Sequence, residues 1–157
     1  MGSITNEQLT KPLFALLTET FDKTAGAYLD RDTSLLNTLD TLNAARASKP
    51  TIPGGTTIAG HVFHVRFYLR VINDYMEGKW YENLDWKESW TLSTVTDAEW
   101  EELRRNVRGD YAALMKRLGE IGDWSDEKRL GGAMAIIAHT AFHLGAIRQM
   151  TKLVALR

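Results

Sequence analysis

Apolar residues recur every three to four positions over most of the chain, which is the period of an amphipathic α-helix. The first such segment follows Thr5-Asn6-Glu7-Gln8, which has the form of a capping box, and is predicted to run to about Tyr28. A shorter amphipathic helix is predicted from the N-cap Asp32-Thr33-Ser34 to about Ser48. Two prolines and a pair of glycines within residues 49–55 then predict a loop.

Three further long helices are predicted downstream. The second long helix is capped by Thr56 or Thr57 and ends near Glu77, the third follows a capping box at residues 96–99, and the fourth covers about residues 129–156. No segment alternates like a strand, and no internal repeat is found. The pattern predicts an all-α fold, a four-helix bundle in a single domain over residues 1–157, with a long connection between the second and third long helices.

That connection, residues 79–96, is rich in aromatic side chains. It carries Trp80, Tyr81, Trp86 and Trp90 among acidic residues. A loop of this length in a small domain either has a function or packs as a cover on the core. Both interpretations, a lid anchored by tryptophans and a surface that faces substrate, stay open at this point.

The composition of the chain limits which partners it can bind and which side chains can ligate a metal. The chain has 157 residues, 44% hydrophobic and 25% charged, with a formal net charge of −1 and no cysteine. This charge gives no basic surface for nucleic acid, and the absence of cysteine leaves imidazole, carboxylate or water as metal ligands. We see no apolar run near 18 residues and no signal peptide at the N-terminus, so we expect no membrane partner and a cytoplasmic protein.

All four histidines occur as two close pairs on predicted helices. His139 and His143 are four residues apart, so their rings project from one face, within the apolar stripe of the fourth long helix. His61 and His64 form the second pair, with His61 about 60° toward the more apolar side, and the helical wheel alone does not decide which of the two is the ligand. Because a buried imidazole needs a ligand or a hydrogen-bond partner, the two pairs predict a metal site between two helices.

The residue spacing excludes several metal sites. A ferritin-like di-iron site requires Glu-x-x-His motifs, and neither histidine pair has a glutamate three residues before it. The zincin motif fails because Thr140 stands where its general-base glutamate would be. No feature favours haem over a nonhaem metal. The kind of site that remains has three imidazole ligands and an open fourth position. Such a site activates water or a thiol.

Two segments carry a resemblance to a known family. Thr57-Ile58-Ala59-Gly60-His61-Val62-Phe63-His64-Val65, taken with residues 139–149, resembles the DinB-like superfamily of metal-binding four-helix bundles. The resemblance implies that His64, His139 and His143 are the metal ligands. His61 departs from the family, which usually has an apolar residue there, and could be a fourth ligand, a donor to a ligand or a helper in catalysis. We favour a role other than ligand.

The resemblance also implies candidate activities. Related families include bacillithiol transferases and mycothiol-dependent maleylpyruvate isomerases, in which the metal binds a low-molecular-weight thiol. We therefore expect a divalent-metal-dependent transferase or hydrolase acting on a small-molecule substrate, with His61, Tyr68 and Arg148 as candidates for orienting it. The alternative is a noncatalytic, metal-stabilised bundle that acts as a binding or stress-response protein. The imidazole set suits several metals, of which we favour zinc or nickel.

We also expect a homodimer. The first and third long helices carry apolar residues outside one narrow stripe, such as Leu13 with Phe14 and Trp100 with Tyr111. An exposed apolar helix face commonly marks an interface. The family resemblance points the same way.

Overall fold

The computed structural model describes residues 5–156, and within this range every regular element is a helix. The all-α prediction is therefore confirmed. The six α-helices are α1 (Asn6–Phe21), α2 (Leu35–Asp40), α3 (Ala44–Ala47), α4 (Ile58–Met76), α5 (Asp97–Gly119) and α6 (Glu127–Ala155), and a 3₁₀ helix spans Trp86–Trp90.

Side chains at the helix starts form the predicted caps. Capping boxes begin α1 at Thr5 and α5 at Thr96, and each joins the N-cap residue to the third residue of its helix in both directions. Thr57, rather than Thr56, caps α4, and its hydroxyl accepts a hydrogen bond from the Gly60 amide. These bonds satisfy amide groups that the helix itself leaves unpaired.

The first predicted helix is too long, because α1 ends at Phe21 instead of about Tyr28. The cause is Glu19, a buried residue whose carboxylate accepts backbone N–H bonds from Ala27, Tyr28 and Leu29. Those three amides are thereby withdrawn from any continuing helix. The carboxylate folds the chain after α1 back against the helix.

The second predicted helix is also wrong in extent, since the segment forms two short helices, α2 and α3. Ser34 caps the first, and the chain leaves the helical path after Thr41. Asn43 then caps the start of α3, where its side-chain Oδ1 accepts a hydrogen bond from the Arg46 backbone N–H at 2.9 Å. An asparagine that caps a helix competes with helix continuation through the same position.

The core lies around α4, which packs against α5 and α6, while α1 packs against α6. The residues on which we based an exposed dimer face belong to this core. Leu13, Trp100 and Tyr111 are buried. Phe14 is partly buried, and its ring makes an edge-to-face contact with the ring of Trp124. Helices α1 and α5 therefore do not supply the exposed face that the sequence suggested, and the homodimer remains a prediction.

The loop that contains the 3₁₀ helix runs close over the start of α4. Thr57 donates its hydroxyl hydrogen to the Ser93 carbonyl at 2.7 Å. A Cβ placed on Gly60 would lie 2.9 Å from the Leu92 carbonyl oxygen, so the loop can pass this closely only over glycine. The result is that the aromatic loop is held against the helix turn that carries His61 and His64.

Helix α6 is unusually apolar for a helix of which one face is open. Residues 130–147 contain no Asp, Glu, Lys or Arg, and one third of them are buried. By length and composition α6 could cross a membrane, so the expectation that no apolar run approaches 18 residues is wrong, although core helices of soluble proteins share this property. In this fold its buried face packs against α1 and α4.

Candidate metal centre

Helices α4 and α6 bring all four histidines to one place. His64 and His143 are buried at 8% and 5% exposure, whereas His61 and His139 are partly buried. Each pair projects from one face of its helix because residues three or four apart lie one turn above each other. The centre is therefore built on two rigid helices rather than on loops.

Three of the rings form a compact group. One nitrogen each from His64, His139 and His143 lie within 4.8 Å of one another, and no carboxylate belongs to the group. The ring centroids are 5.0 Å apart for His64 and His139, and 4.6 Å apart for each of the other two pairs. The structure thus brings together the three residues that the resemblance implied as ligands.

Ser89 fixes the proton of His64. The serine hydroxyl lies 2.6 Å from His64 Nδ1 and donates to the Trp86 carbonyl oxygen, also at 2.6 Å. With the hydroxyl hydrogen assigned to that carbonyl, the oxygen accepts from His64, whose Nδ1 then carries the proton. Nε2 of His64 is then a lone-pair donor, the form that binds metals.

His61 has the corresponding place beside His143. Its Nδ1 lies 3.0 Å from His143 Nδ1, and its Nε2 lies 3.1 Å from the Thr56 hydroxyl. One consistent assignment has His143 donating from Nδ1 to His61, which in turn donates from Nε2 to Thr56. This chain of bonds leaves Nε2 of His143 unprotonated, and His61 itself lies outside the three-nitrogen group.

His139 is held differently, by stacking. Its ring lies parallel to Tyr68 with centroids 4.0 Å apart. Its Nδ1 is buried and has no hydrogen-bond partner among residues 5–156, while its Nε2 lies 3.0 Å from His64 Nε2. Two nitrogen ligands of a tetrahedral zinc ion with bonds of 2.0–2.1 Å are about 3.3 Å apart, so this contact fits a shared cation.

Burial keeps the rings neutral. Desolvation, followed by the neighbouring charges of His139 and His61, lowers the pKa of His64 from 6.5 to about 4. Desolvation and then the charges of His139, His64 and His61 lower the pKa of His143 to about 3. Burial also lowers the pKa of His61 and that of His139. Neutral imidazole is the ligand form, so the rings can bind a metal at neutral pH without first releasing a proton.

Trp90 covers the group from the 3₁₀ helix. Its ring stacks on His64 with centroids 4.1 Å apart and an angle of 17°, and it contacts the ring edges of His61 at 5.3 Å. It is 39% exposed, so one part faces solvent. The sequence indicated this loop as either a cover or a substrate surface, and Trp90 has the contacts of a cover. The role of Ser89 had no sequence signal, because nothing in its spacing relates it to α4.

A cavity of about 910 Å³ lies further along the same two helices. Ile72 and Tyr75 line it from α4 and Ile136 from α6, about one to three helical turns from the histidines. Tyr75 stacks on Trp80, which is 76% exposed at the cavity. The size and the largely apolar wall are those of a small-molecule site.

Arg148 lies apart from this arrangement. Its guanidinium group lies 3.7 Å from the carboxylate of Asp30, an exposed residue in the segment after α1. On α6 it is about 140° around the helix from His143. The structure therefore does not bring Arg148 to the histidines, in contrast to Tyr68 and His61.

Comparison with known families agrees with this geometry. The sequence model of the DinB superfamily matches residues 28–147, more than half of the chain, and the match includes all four histidines. The chain belongs to the DinB superfamily. The resemblance inferred from the two histidine segments is confirmed, and in this DinB protein the matched region extends from the segment after α1 into α6. Comparisons with curated proteins and with solved structures gave no match.

Proposed function

We propose that this DinB protein is an enzyme that binds one divalent metal ion, zinc or nickel, through His64, His139 and His143. The observation that carries the proposal is the grouping of three neutral imidazoles within 4.8 Å, with His64 Nδ1 already engaged by Ser89. Three imidazoles and one exchangeable position are the usual set of a catalytic rather than a structural zinc site.

The chemistry proposed is activation of a low-molecular-weight thiol or of water, for a transferase or a hydrolase reaction. A divalent cation held by three neutral ligands favours the anionic form of a bound thiol or water at neutral pH. The chain contributes the rest: Ser89 and His61 keep protons on the outer nitrogens of His64 and His143. Trp90 shields the rings from bulk water.

The cavity beside the centre is proposed as the substrate site. Tyr75 and Trp80 offer aromatic faces in its apolar part, and its charged lining residues are three basic and three acidic, with Arg117 already paired to Glu77. Tyr68 stacks on His139 and precedes Ile72, which lines the cavity, by one turn of α4, and we propose that it orients a substrate extending toward the metal. A small organic molecule with an apolar body fits these walls.

The long helices α1, α4, α5 and α6 are proposed to form one four-helix bundle domain, with residues 77–96 as the long connection. In this proposed arrangement the metal would lie between two bundle helices, as in other bundle sites. We propose a cytoplasmic protein on the expectations from its sequence.

The second candidate is a noncatalytic bundle in which a metal cross-links α4 and α6. One observation favours it: His61 places a fourth imidazole nitrogen 3.0 Å from His143. If His61 moved onto the metal, no exchangeable position would remain. The protein would then act in binding or in a stress response.

Metal removal and reconstitution separate the two candidates. The chain, purified without a polyhistidine tag, is stripped with a chelator and reloaded with zinc or nickel, then supplied with a thiol and an electrophilic acceptor. If the protein is an enzyme, turnover should occur only in the metal-loaded protein. The stripped protein should remain folded at room temperature. No turnover in any loaded form, together with a large fall in melting temperature on stripping, would contradict it in favour of the structural candidate.

A further inference from the structure

The cavity continues the histidine centre along the groove between α4 and α6. The two helices are antiparallel there, because His61 contacts His143 whereas His64, which comes later on α4, contacts His139, which comes earlier on α6. Residues that follow His64 on α4 therefore lie opposite residues that precede His139 on α6. The last turns of α4 and the first turns of α6 line the cavity in this way. A ligand in the cavity thus lies in line with the histidines.

One wall of the cavity is an aromatic pair, Tyr75 and Trp80. Their rings are stacked, with centroids 4.9 Å apart and an angle of 24°. Trp80 is largely exposed, so its indole face away from Tyr75 is accessible. On the α6 side, Gly132 lines the cavity, and a Cβ placed on it would have no neighbouring atom within 4 Å. An accessible indole face beside free space suits a second aromatic ring, since such rings stack with centroids about 4.5–7 Å apart.

The charged residues around the cavity leave one positive charge without a partner. Each of the three acidic lining residues has a basic residue within 4 Å: the pairs are Glu77 with Arg117, Asp126 with Arg129, and Glu120 with Lys116. Lys128 also lines the cavity, and its backbone amide bonds to the Asp126 cap. Within residues 5–156, its ammonium group has no carboxylate within 4 Å. That ammonium group is available to one anionic group of a ligand.

We infer that the cavity binds a small aromatic monocarboxylate, with its ring on Trp80 and its carboxylate at Lys128, an inference that rests on the proposed function in taking the cavity as the substrate site. Lys128 precedes His139 on α6 by about three turns, or about 16 Å. The lysine side chain and an elongated ligand of two fused rings together span this distance. The end of the ligand opposite the carboxylate would then lie near Tyr68, next to the histidine centre.

Isothermal titration calorimetry with 2-naphthoate tests the class of ligand. One molecule should bind per chain. The 2-naphthylmethylammonium ion has the same rings and the opposite charge, and it should bind roughly 10-fold more weakly because attraction to Lys128 becomes repulsion. Decahydro-2-naphthoate keeps the charge and loses the aromatic rings, and it should bind about 3-fold more weakly or worse, since ring stacking is lost. Equal affinity for 2-naphthoate and either analogue overturns the inference.

A pair of adjacent glycines provides matched variants for the position of the ligand. Gly132→Leu places a side chain in the cavity and should bind no measurable 2-naphthoate. Gly131→Leu is the control, because Gly131 is exposed, does not line the cavity and also has free space at its Cβ. Leucine favours a helix more than glycine does, so neither change should unfold α6. Equal binding by the two variants overturns the inference.

A second pair of variants tests the contact with the carboxylate. Lys128→Gln should bind 2-naphthoate up to about 5-fold more weakly, the loss of one solvent-exposed ion pair, and should no longer discriminate against the ammonium analogue. Lys152→Gln, an exposed lysine near the other end of α6, should bind as the parent chain does. Unchanged discrimination in Lys128→Gln overturns the placement of the carboxylate.

Metal removal distinguishes this inference from the proposed function. Metal-loaded and metal-free chains should bind 2-naphthoate equally, because the contacts lie in the cavity. Binding that is lost with the metal overturns the inference, since the carboxylate would then coordinate the metal instead of contacting Lys128. Binding to Gly131→Leu but not to Gly132→Leu supports the inference even if no metal-loaded form shows turnover. Turnover in a chain that does not bind 2-naphthoate overturns the inference and leaves the proposed function standing.

Discussion

Replacing Ser89 by alanine removes the group that holds the His64 proton, and its effect can be worked out from two contacts. The hydroxyl is fully buried and forms bonds of 2.6 Å to His64 Nδ1 and to the Trp86 carbonyl oxygen. Without it, the Nδ1 hydrogen is buried without a partner, which costs about 1–3 kcal/mol. The ring can relieve that cost by moving its proton to Nε2 or by turning, and either change removes the metal-binding lone pair.

We therefore expect Ser89→Ala to bind zinc or nickel 10- to 100-fold more weakly, the usual effect of losing the partner of a ligand's other nitrogen. This corresponds to about 1.4–2.7 kcal/mol of binding free energy. Affinity is measured by competition with a chromophoric chelator. Ser93→Ala is the matched control, since Ser93 lies in the same loop, is exposed and uses only its backbone carbonyl in this region. Equal affinities for Ser89→Ala and the parent chain would refute the reasoning.

Three further predictions concern the same centre. His61→Ala should retain one metal per chain with an affinity reduced less than in His64→Ala; equal losses in the same chelator competition would make His61 a ligand. The free energy of unfolding of the metal-free protein should fall by about 4 kcal/mol when the pH is lowered from 7.5 to 5.0. In the unfolded chain both histidines take up a proton near their ordinary pKa of 6.5, whereas in the folded chain the pKa is about 4 for His64 and about 3 for His143. Urea unfolding at the two pH values measures this, and a pH-independent stability would contradict it. Trp90→Ala should leave metal stoichiometry unchanged but speed metal release to a chelator, since the ring covers His64; an unchanged release rate would remove its role as a cover.

The long helices and the histidine group could be predicted because local patterns determine them. Capping boxes at Thr5 and Thr96 and apolar residues at helical spacing are properties of short segments. The grouping of three histidines followed from two i, i+3 or i+4 pairs on helices together with the family resemblance. Each capping box and each histidine pair lies within about one turn of helix, whereas the choice of His64 together with His139 and His143 came from the family resemblance.

Other features depend on contacts between distant segments. The end of α1 at Phe21 is set by a carboxylate that reaches amides eight to ten residues ahead. Ser89 meets His64 across 25 residues, through a 3₁₀ helix that no apolar period indicates. The sequence predicts an exposed apolar face on α1 and α5, because some apolar residues there lie outside a single stripe of the helix. In the structure the rest of the chain buries those residues, and exposed apolar side chains occur instead on α6, at Met134 and Phe142.

The central claim is that three histidines hold one metal ion, and elemental analysis of tag-free protein tests it most directly. The parent chain should contain close to one zinc or nickel per chain after exhaustive dialysis. His64→Ala, His139→Ala and His143→Ala should each lose nearly all of it, while Met134→Glu, also on α6, should keep it. Stoichiometric metal in folded His143→Ala, or none in the reloaded parent chain, would contradict the assignment.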